Sequence, residues 1–388
     1  MAFYSPEGDL INKVFLTEEE ILDNLVGDTL WIWGDNYYGE TGTNTSGSST
    51  NKSAPVQTIS GGNNWKYVSA GYQLGGIKTD GTLWIWGRNH NGQLGDNTTV
   101  NKSSPVQTIA STTTWEKVAL GYSISSGIKT DGTLWTWGKN QLGQLGDNTT
   151  INRSSPVQTI ATGSNWREIS AGSSYFIAIK TDGTLWSWGD SQYGQLGINI
   201  FGNSRSSPVQ IGLSNEWKRI NAGDNFSTAI KNDGTLWVWG YNNRGQLGDN
   251  TTLDRSSPVQ TVAGGTWKQS AAGANSMSGI KKDGTLWSWG RNFNGTLGDN
   301  TTIDRSSPVQ VISGGSNWLK IEVGRQSTYG IKTDGTLWVW GTNGYGNLGI
   351  NSFPSYRSSP VQTTLGGNNW KQVSALRTVI ALTNSQIT

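Results

Sequence analysis

The chain has 388 residues, a net charge of +2, 53 glycines and no cysteine. The missing cysteine excludes a disulfide framework and thiol chemistry, the small charge lacks the basic footprint of a nucleic-acid binder, and no apolar run approaches bilayer-spanning length. Only 34% of the residues are hydrophobic, yet 21 are tryptophan, so the sequence predicts an aromatic core rather than an aliphatic one.

Residues 1–26 stand apart from the rest of the chain. Thr17-Glu18-Glu19-Glu20 has capping-box spacing ahead of Ile21, Leu22 and Leu25, which predicts a short amphipathic helix. Phe3, Tyr4, Leu10, Ile11, Val14 and Phe15 add apolar surface. Charged and apolar signal-peptide regions are absent from this stretch. The segment is expected to be a docking arm that binds another chain.

From residue 27 onward the sequence repeats. Asp-Gly-Thr-Leu-Trp-x-Trp-Gly begins at Asp80, Asp131, Asp182, Asp233, Asp283 and Asp334, in steps of 50 or 51 residues, and Gly27-Asp28-Thr29-Leu30-Trp31-Ile32-Trp33-Gly34 is a degenerate seventh copy. A fixed period of this length signals a solenoid or propeller with one supersecondary unit per repeat. A third tryptophan follows about 30 residues later in each unit, as at Trp65 and Trp115, and three per unit account for all 21. The scaffold therefore explains every tryptophan.

Each unit reads as four strands. In the copy from Trp65 to Ile109, Trp65–Ala70 is the first and Leu74–Lys78 the second. The Asp80-Gly81 turn leads to Thr82–Trp86 as the third. After a polar loop, Pro105–Ile109 is the fourth, with proline at its start where it costs no ladder bond. Leu83 and Ile85 point one way and Trp84 and Trp86 the other. Both faces are apolar, and stacking blades around an axis covers both. The last copy supplies only first and second strands, near Trp370–Ala375 and Val379–Leu382, while the first copy begins with a third strand at Thr29–Trp33. The expected fold is all-β: a seven-bladed β-propeller over 27–388, closed by a blade of mixed N- and C-terminal origin and preceded by the arm.

Gly92-Gln93-Leu94-Gly95, repeated at 143–146, 194–197 and 245–248 with variants at 295–298 and 346–349, resembles the RCC1 repeat, in the closely regular form of bacterial and phage proteins. The resemblance implies the propeller. It leaves function open, because the family includes a nucleotide exchange factor for a GTPase, an ultraviolet receptor and an enzyme inhibitor, and a shared fold does not carry function. The receptor's Gly-Trp-Arg-His-Thr strings are replaced here by Gly223-Asp224-Asn225-Phe226-Ser227 and Gly324-Arg325-Gln326-Ser327-Thr328, which does not imply light sensing.

The residues offer no catalytic constellation. The single histidine, His90, lies in a variable turn, the hairpin aspartates read as turn chemistry, and no catalytic residue, metal site or cofactor is expected. Lys52, Lys102, Arg153, Arg205, Arg255, Arg305 and Arg357 precede the fourth strand in every blade. They are expected to pair with loop aspartates such as Asp147 and Asp249 or with loop carbonyls, the alternative being an anion-binding rim. The segment after each Trp-Gly varies most, and its Tyr37, Tyr38, Arg88, His90, Tyr193, Tyr241, Arg244, Arg291, Phe293 and Tyr345 are types enriched at binding hot spots. A second variable set, including Tyr72-Gln73-Leu74, is expected beside the central channel.

These features point to a non-catalytic binding or assembly protein. The first expectation is a structural component of a phage virion or tail, anchored by the arm, with the rim facing a neighbouring subunit, a host protein or a host glycan. The alternatives are a cytoplasmic, RCC1-type regulator that binds a GTPase or other protein, and a carbohydrate-binding adhesin.

Overall fold

The hairpin chemistry of the repeat sets each blade. Asp80 Oδ1 accepts the Thr82 backbone N–H at 2.9 Å and its hydroxyl at 2.6 Å, and that hydroxyl accepts Trp84 Nε1 at 2.9 Å. The same relay recurs from Asp131 to Trp135 and from Asp334 to Trp338. Aspartate thus stiffens the turn and orients the first tryptophan of the strand beyond it.

The computed structural model describes residues 27–384, except 60–61, 110–112, 161–162, 313–314 and 353–355. The predicted arm helix, with Phe3, Tyr4, Leu10, Ile11, Val14, Phe15, Ile21, Leu22 and Leu25, lies outside the described residues. Within them, 28 strands numbered in chain order form seven four-stranded antiparallel sheets. In one, β3 (Trp65–Ala70), β4 (Gln73–Lys78), β5 (Leu83–Gly87) and β6 (Lys102–Gln107) lie in sequence order from the axis outward.

The closing blade has the order β2 (Lys52–Gln57), β1 (Thr29–Gly34), β28 (Thr378–Thr383), β27 (Trp370–Ala375). Its central pairing runs in register from Thr29↔Thr383 to Gly34↔Thr378, so the C-terminal segment supplies the inner strands and the N-terminal segment the outer ones.

The fourth strand differs from expectation. It starts at the basic residue, Lys102 in this blade, and ends at Gln107, which puts Pro105 inside it. The pairing Ile85↔Val106 shifts to Gly87↔Lys102, and Pro105 falls in that irregular stretch of an outermost strand, where a missing N–H breaks no ladder bond.

The core lies between blades, and the alternation of the third strand divides it. Trp86 packs with Trp65, Val68 and Leu74 against Ile32 and Ile380 of the closing blade. Leu83 and Ile85 pack with Trp115, Val118 and Trp137 of the next blade. A buried aromatic removes on the order of 200 Å² from water, roughly 5 kcal/mol of gross transfer free energy per ring. The Gly-Gln-Leu-Gly string locks these interfaces. The Gln93 carbonyl accepts Trp137 Nε1 at 2.9 Å, while Gly92 (φ +79°) and Gly95 (φ +67°) approach Ser154 and Trp137 so closely that a Cβ would lie 2.4 and 2.9 Å from them.

Inner strands are stapled side to side. Ser69 Oγ accepts Leu120 N–H, Ser170 Oγ accepts Ala222 N–H, Asn221 Oδ1 accepts Ala272 N–H and Ser374 Oγ accepts Ala70 N–H, the last crossing the closure. Backbone donors on an otherwise open sheet edge are thereby satisfied by the neighbouring blade.

Candidate binding face at the channel mouth

The inner strands enclose a channel of about 540 Å³ lined by Tyr67, Lys117, Glu168, Arg219, Lys320 and Glu322 among others. The wall carries both acidic and basic groups, and burial pushes both Glu168 and Glu322 upward, Glu322 to about 7.

One mouth of this channel is framed by the turns between first and second strands. The residue after the inner glycine runs Tyr72, Tyr122, Ser173, Asp224, Ala274 and Arg325, with Arg377 at the matching turn of the closing blade. These side chains reach across the opening. Tyr72 and Tyr122 meet edge to face at 4.7 Å. The Tyr122 hydroxyl donates to Asp224 Oδ2, joining the second blade to the fourth, and Arg325 Nη1 donates to the Tyr72 hydroxyl at 3.1 Å, joining the sixth to the first. Arg377 lies over Tyr72 at 5.5 Å and over Tyr345 at 5.4 Å. Burial, then the nearby Asp224 carboxylate, holds the Tyr122 phenol far above its usual range, so it stays a donor.

The turns after Trp-Gly come to the same face. Their second position is not variable in role: Asn89 is buried, its Nδ2 donates to Asp96 Oδ1 and to the Thr98 and Val100 carbonyls, and its Oδ1 accepts Leu94 N–H. Asn140, Asn242 and Asn292 hold their own loops the same way. Only the positions around this asparagine are free to face outward.

The ten expected rim residues divide accordingly. Tyr37 meets Tyr38 edge to face at 4.8 Å, Tyr38 meets His90 at 5.4 Å, and Arg88 lies over both Tyr38 (5.3 Å) and Tyr72 (5.4 Å), so Arg88 and Tyr38 join the mouth cluster, Tyr37 and His90 join through Tyr38, and Tyr345 joins through Arg377. Tyr193 and Tyr241 form a separate pair at 4.5 Å. Arg244 is taken up by Asp304 at 3.5 Å. Arg291 lies over Phe293 at 5.0 Å, and the two line a recess of about 80 Å³ together with Asp224, Asn275, Arg325 and Gln326. Tyr122, Asp224, Arg325 and Arg377 were not among the expected residues. Their signal was available: on a regular frame, the residue after the inner glycine changes from blade to blade.

The basic residues of the fourth strands do not form a free ring. Lys102, Arg153, Arg255 and Arg305 pair with Asp96, Asp147, Asp249 and Asp299 at 2.8–3.5 Å. Where the loop aspartate becomes Ile198 or Ile350, Arg205 turns to the Asn203 and Ser204 carbonyls and Arg357 to the Tyr356 carbonyl. Among the described residues, no group of three or more His, Cys, Asp or Glu side chains is placed to hold a metal ion, and no helix is long and apolar enough to cross a membrane.

Known proteins share this architecture. Prp20p from Saccharomyces cerevisiae superposes with a TM-score of 0.84 at 18% identity, covering 96% of each chain, and human WBSCR16 with 0.81 at 19% identity, covering 93% of this chain and 100% of the other. In sequence, the ultraviolet-B receptor UVR8 of Arabidopsis thaliana is 30% identical over 227 residues, 58% of this chain and 51% of the receptor. The RCC2 homologue of Danio rerio is 32% identical over 128 residues, 32% of this chain and 26% of the other. The chain thus spans about half or less of the length of these two sequence relatives. These relatives come from plant, animal and yeast and do not single out a bacterial or phage type. The RCC1-like domain family matches residues 29–382, nearly the whole propeller, and the chain belongs to that family.

Proposed function

We propose that this chain is a non-catalytic protein-binding propeller whose partner docks on the channel-mouth face. The observation that carries this reading is the convergence of Tyr38, Tyr72, Arg88, Tyr122, Arg325, Tyr345 and Arg377, drawn from several blades, onto one opening. The loop asparagines and most of the outer basic residues, by contrast, are held in bonds internal to the scaffold. Tyrosine and arginine bring large, rigid contact area and directional donors, the composition of interface hot spots. Prp20p has been described with binding properties to Gsp1p and histones, and a yeast RCC1 structure carries bound Kap60, so propellers of this shape do serve protein recognition. The reading as a phage particle component rests on residues 1–26, which lie outside the described residues, and on the regularity of the repeats, and none of these relatives supports it.

The test is capture from the source organism with the full-length chain and a Tyr38→Ala/Tyr345→Ala variant as baits. The expected result is a protein partner, identified by mass spectrometry, whose recovery falls at least about tenfold with the variant, the scale of two lost hot spots. Equal recovery with both baits would place the docking surface elsewhere.

A further inference from the structure

Three guanidinium groups converge on one phenol. Arg88 and Arg377 lie over the Tyr72 ring and Arg325 donates to its hydroxyl. Among the described residues, none of the three forms an ion pair with a carboxylate, whereas four of the outer basic residues do. The acids near them are poorly placed to compensate. Asp224 accepts the Tyr122 hydroxyl and acts on Arg325 only at longer range. Asp35 and Glu40 act on Arg377 in the same distant way, and burial holds all three carboxyls above their usual range.

The repeats themselves show what is missing. In the turn Asp190–Gln195, the buried Gln195 amide donates to Asp190 Oδ2 at 3.2 Å. In the turn Arg88–Gln93, arginine takes the place of that aspartate, and two buried donors, Gln93 Nε2 and Arg88 Nε, have no acceptor. The corresponding amides of Gln144 and Gln246 also lack one, where the matching positions are Lys139 and Tyr241. Only Gln93 shares a turn with an arginine of the mouth cluster. Those buried donors lie behind the surface, but the Arg88 side chain itself is half-buried and held over the Tyr38 and Tyr72 rings, so an acceptor oxygen from outside would meet a partly desolvated guanidinium, which makes a charge-assisted bond stronger than on an open surface.

We propose that the mouth receives carboxylates from an acidic segment of the partner protein, clasped by Arg88, Arg325 and Arg377. This rests on the docking face proposed above and names the chemistry it selects. Planar guanidinium forks match carboxylates in two-point geometry, and the aromatic surround of Tyr38, Tyr72 and Tyr345 excludes water from the bonds.

The experiment titrates the full-length chain with a fluorescein-labelled octaglutamate peptide and with its octaglutamine counterpart, read by anisotropy at low and high salt. The expected result is salt-sensitive binding of octaglutamate alone, weakened about tenfold or more in Arg325→Gln/Arg377→Gln, a few-fold in Arg88→Gln, and unchanged in Arg244→Gln, whose guanidinium is already paired. Tryptophan emission on heating checks that each variant is folded. Arg88→Gln leaves the bond between Arg325 and Tyr72 intact and decides the matter if the double variant does not fold. Equal binding of both peptides, or octaglutamate binding untouched by the folded variants, overturns the proposal. A heparin fragment that displaces the peptide and is itself weakened more strongly by these variants overturns the assignment to a protein segment. A captured partner that depends on Tyr38 and Tyr345 while octaglutamate fails to bind would preserve the docking face and remove its acidic specificity.

Discussion

Each of the six continuous blades has two tight turns, and they obey different rules. The turn between second and third strands carries Asp-Gly-Thr in six blades, because its aspartate, threonine and the tryptophan beyond it satisfy one another within the blade. The turn between first and second strands has no such closed circuit. Its side chain faces the channel mouth, and its partners are the side chains of other blades, as with Tyr122 and Asp224 or Arg325 and Tyr72. Repetition persists where hydrogen bonds close locally, and divergence concentrates where they close across the ring. A surface that differs sevenfold on a uniform frame can present an asymmetric pattern to a partner.

The strongest challenge to this contrast is to remove a scaffold residue. Trp137 is fully buried between two blades and donates to the Gln93 carbonyl. Trp137→Ala should cost about 3–5 kcal/mol in urea unfolding. A cost below about 1 kcal/mol would mean that the interblade packing does not carry the fold.

Glu40 sharpens the comparison, because it is a divergent residue in a scaffold position. It stands where Gln93 and Gln144 stand in other blades and accepts Tyr38 N–H at 2.8 Å as Gln93 accepts Asn91 N–H at 2.9 Å. Burial raises its carboxyl from 4.5 to about 7. The folded chain then binds more protons than the unfolded chain between those values. Stability contributed by this group is intact below pH 4.5, falls as the pH rises through 4.5 to about 7, and stays reduced above. Glu40→Gln should therefore match the parent at pH 4 and exceed it by on the order of 2–3 kcal/mol at pH 8. Equal stability at both pH values would place the carboxyl in contact with water.

The smallest effect separates two kinds of blade. Arg153 pairs with a buried Asp147, whereas Arg205 faces Ile198 and reaches only loop carbonyls. Arg153→Ala should cost about 1 kcal/mol, within the range of part-exposed pairs, and Arg205→Ala less. The reverse order would contradict the local-pairing account of these basic residues.

The fold was legible because the period, the Asp-Gly hairpins and the two half-blades at the ends are all statements about backbone geometry. The fourth strand was misplaced because its start depends on a register shift near Pro105, which no local pattern marks. The mouth cluster was half legible. Tyr38, Arg88 and Tyr345 stand in a segment visibly variable in sequence, but Asn89 and its counterparts within that segment belong to the scaffold. Arg325 and Arg377 occupy the turn position of the second variable set, the one that begins at Tyr72, and single substitutions there acquire meaning only when a ring brings residues 253 apart in sequence within hydrogen-bond distance.

The pairing of β1 with β28 has a consequence in time. Six blades are each written in one continuous stretch of about fifty residues and can assemble as that stretch leaves the ribosome. The seventh joins Thr29 to Thr383 and must wait until nearly the entire described chain exists. Until then both flanks of the growing arc expose apolar blade faces. The channel mouth, whose clasp spans residues from both ends of the chain, comes into being only with that final pairing, so a truncated or stalled product would carry the scaffold without the docking face.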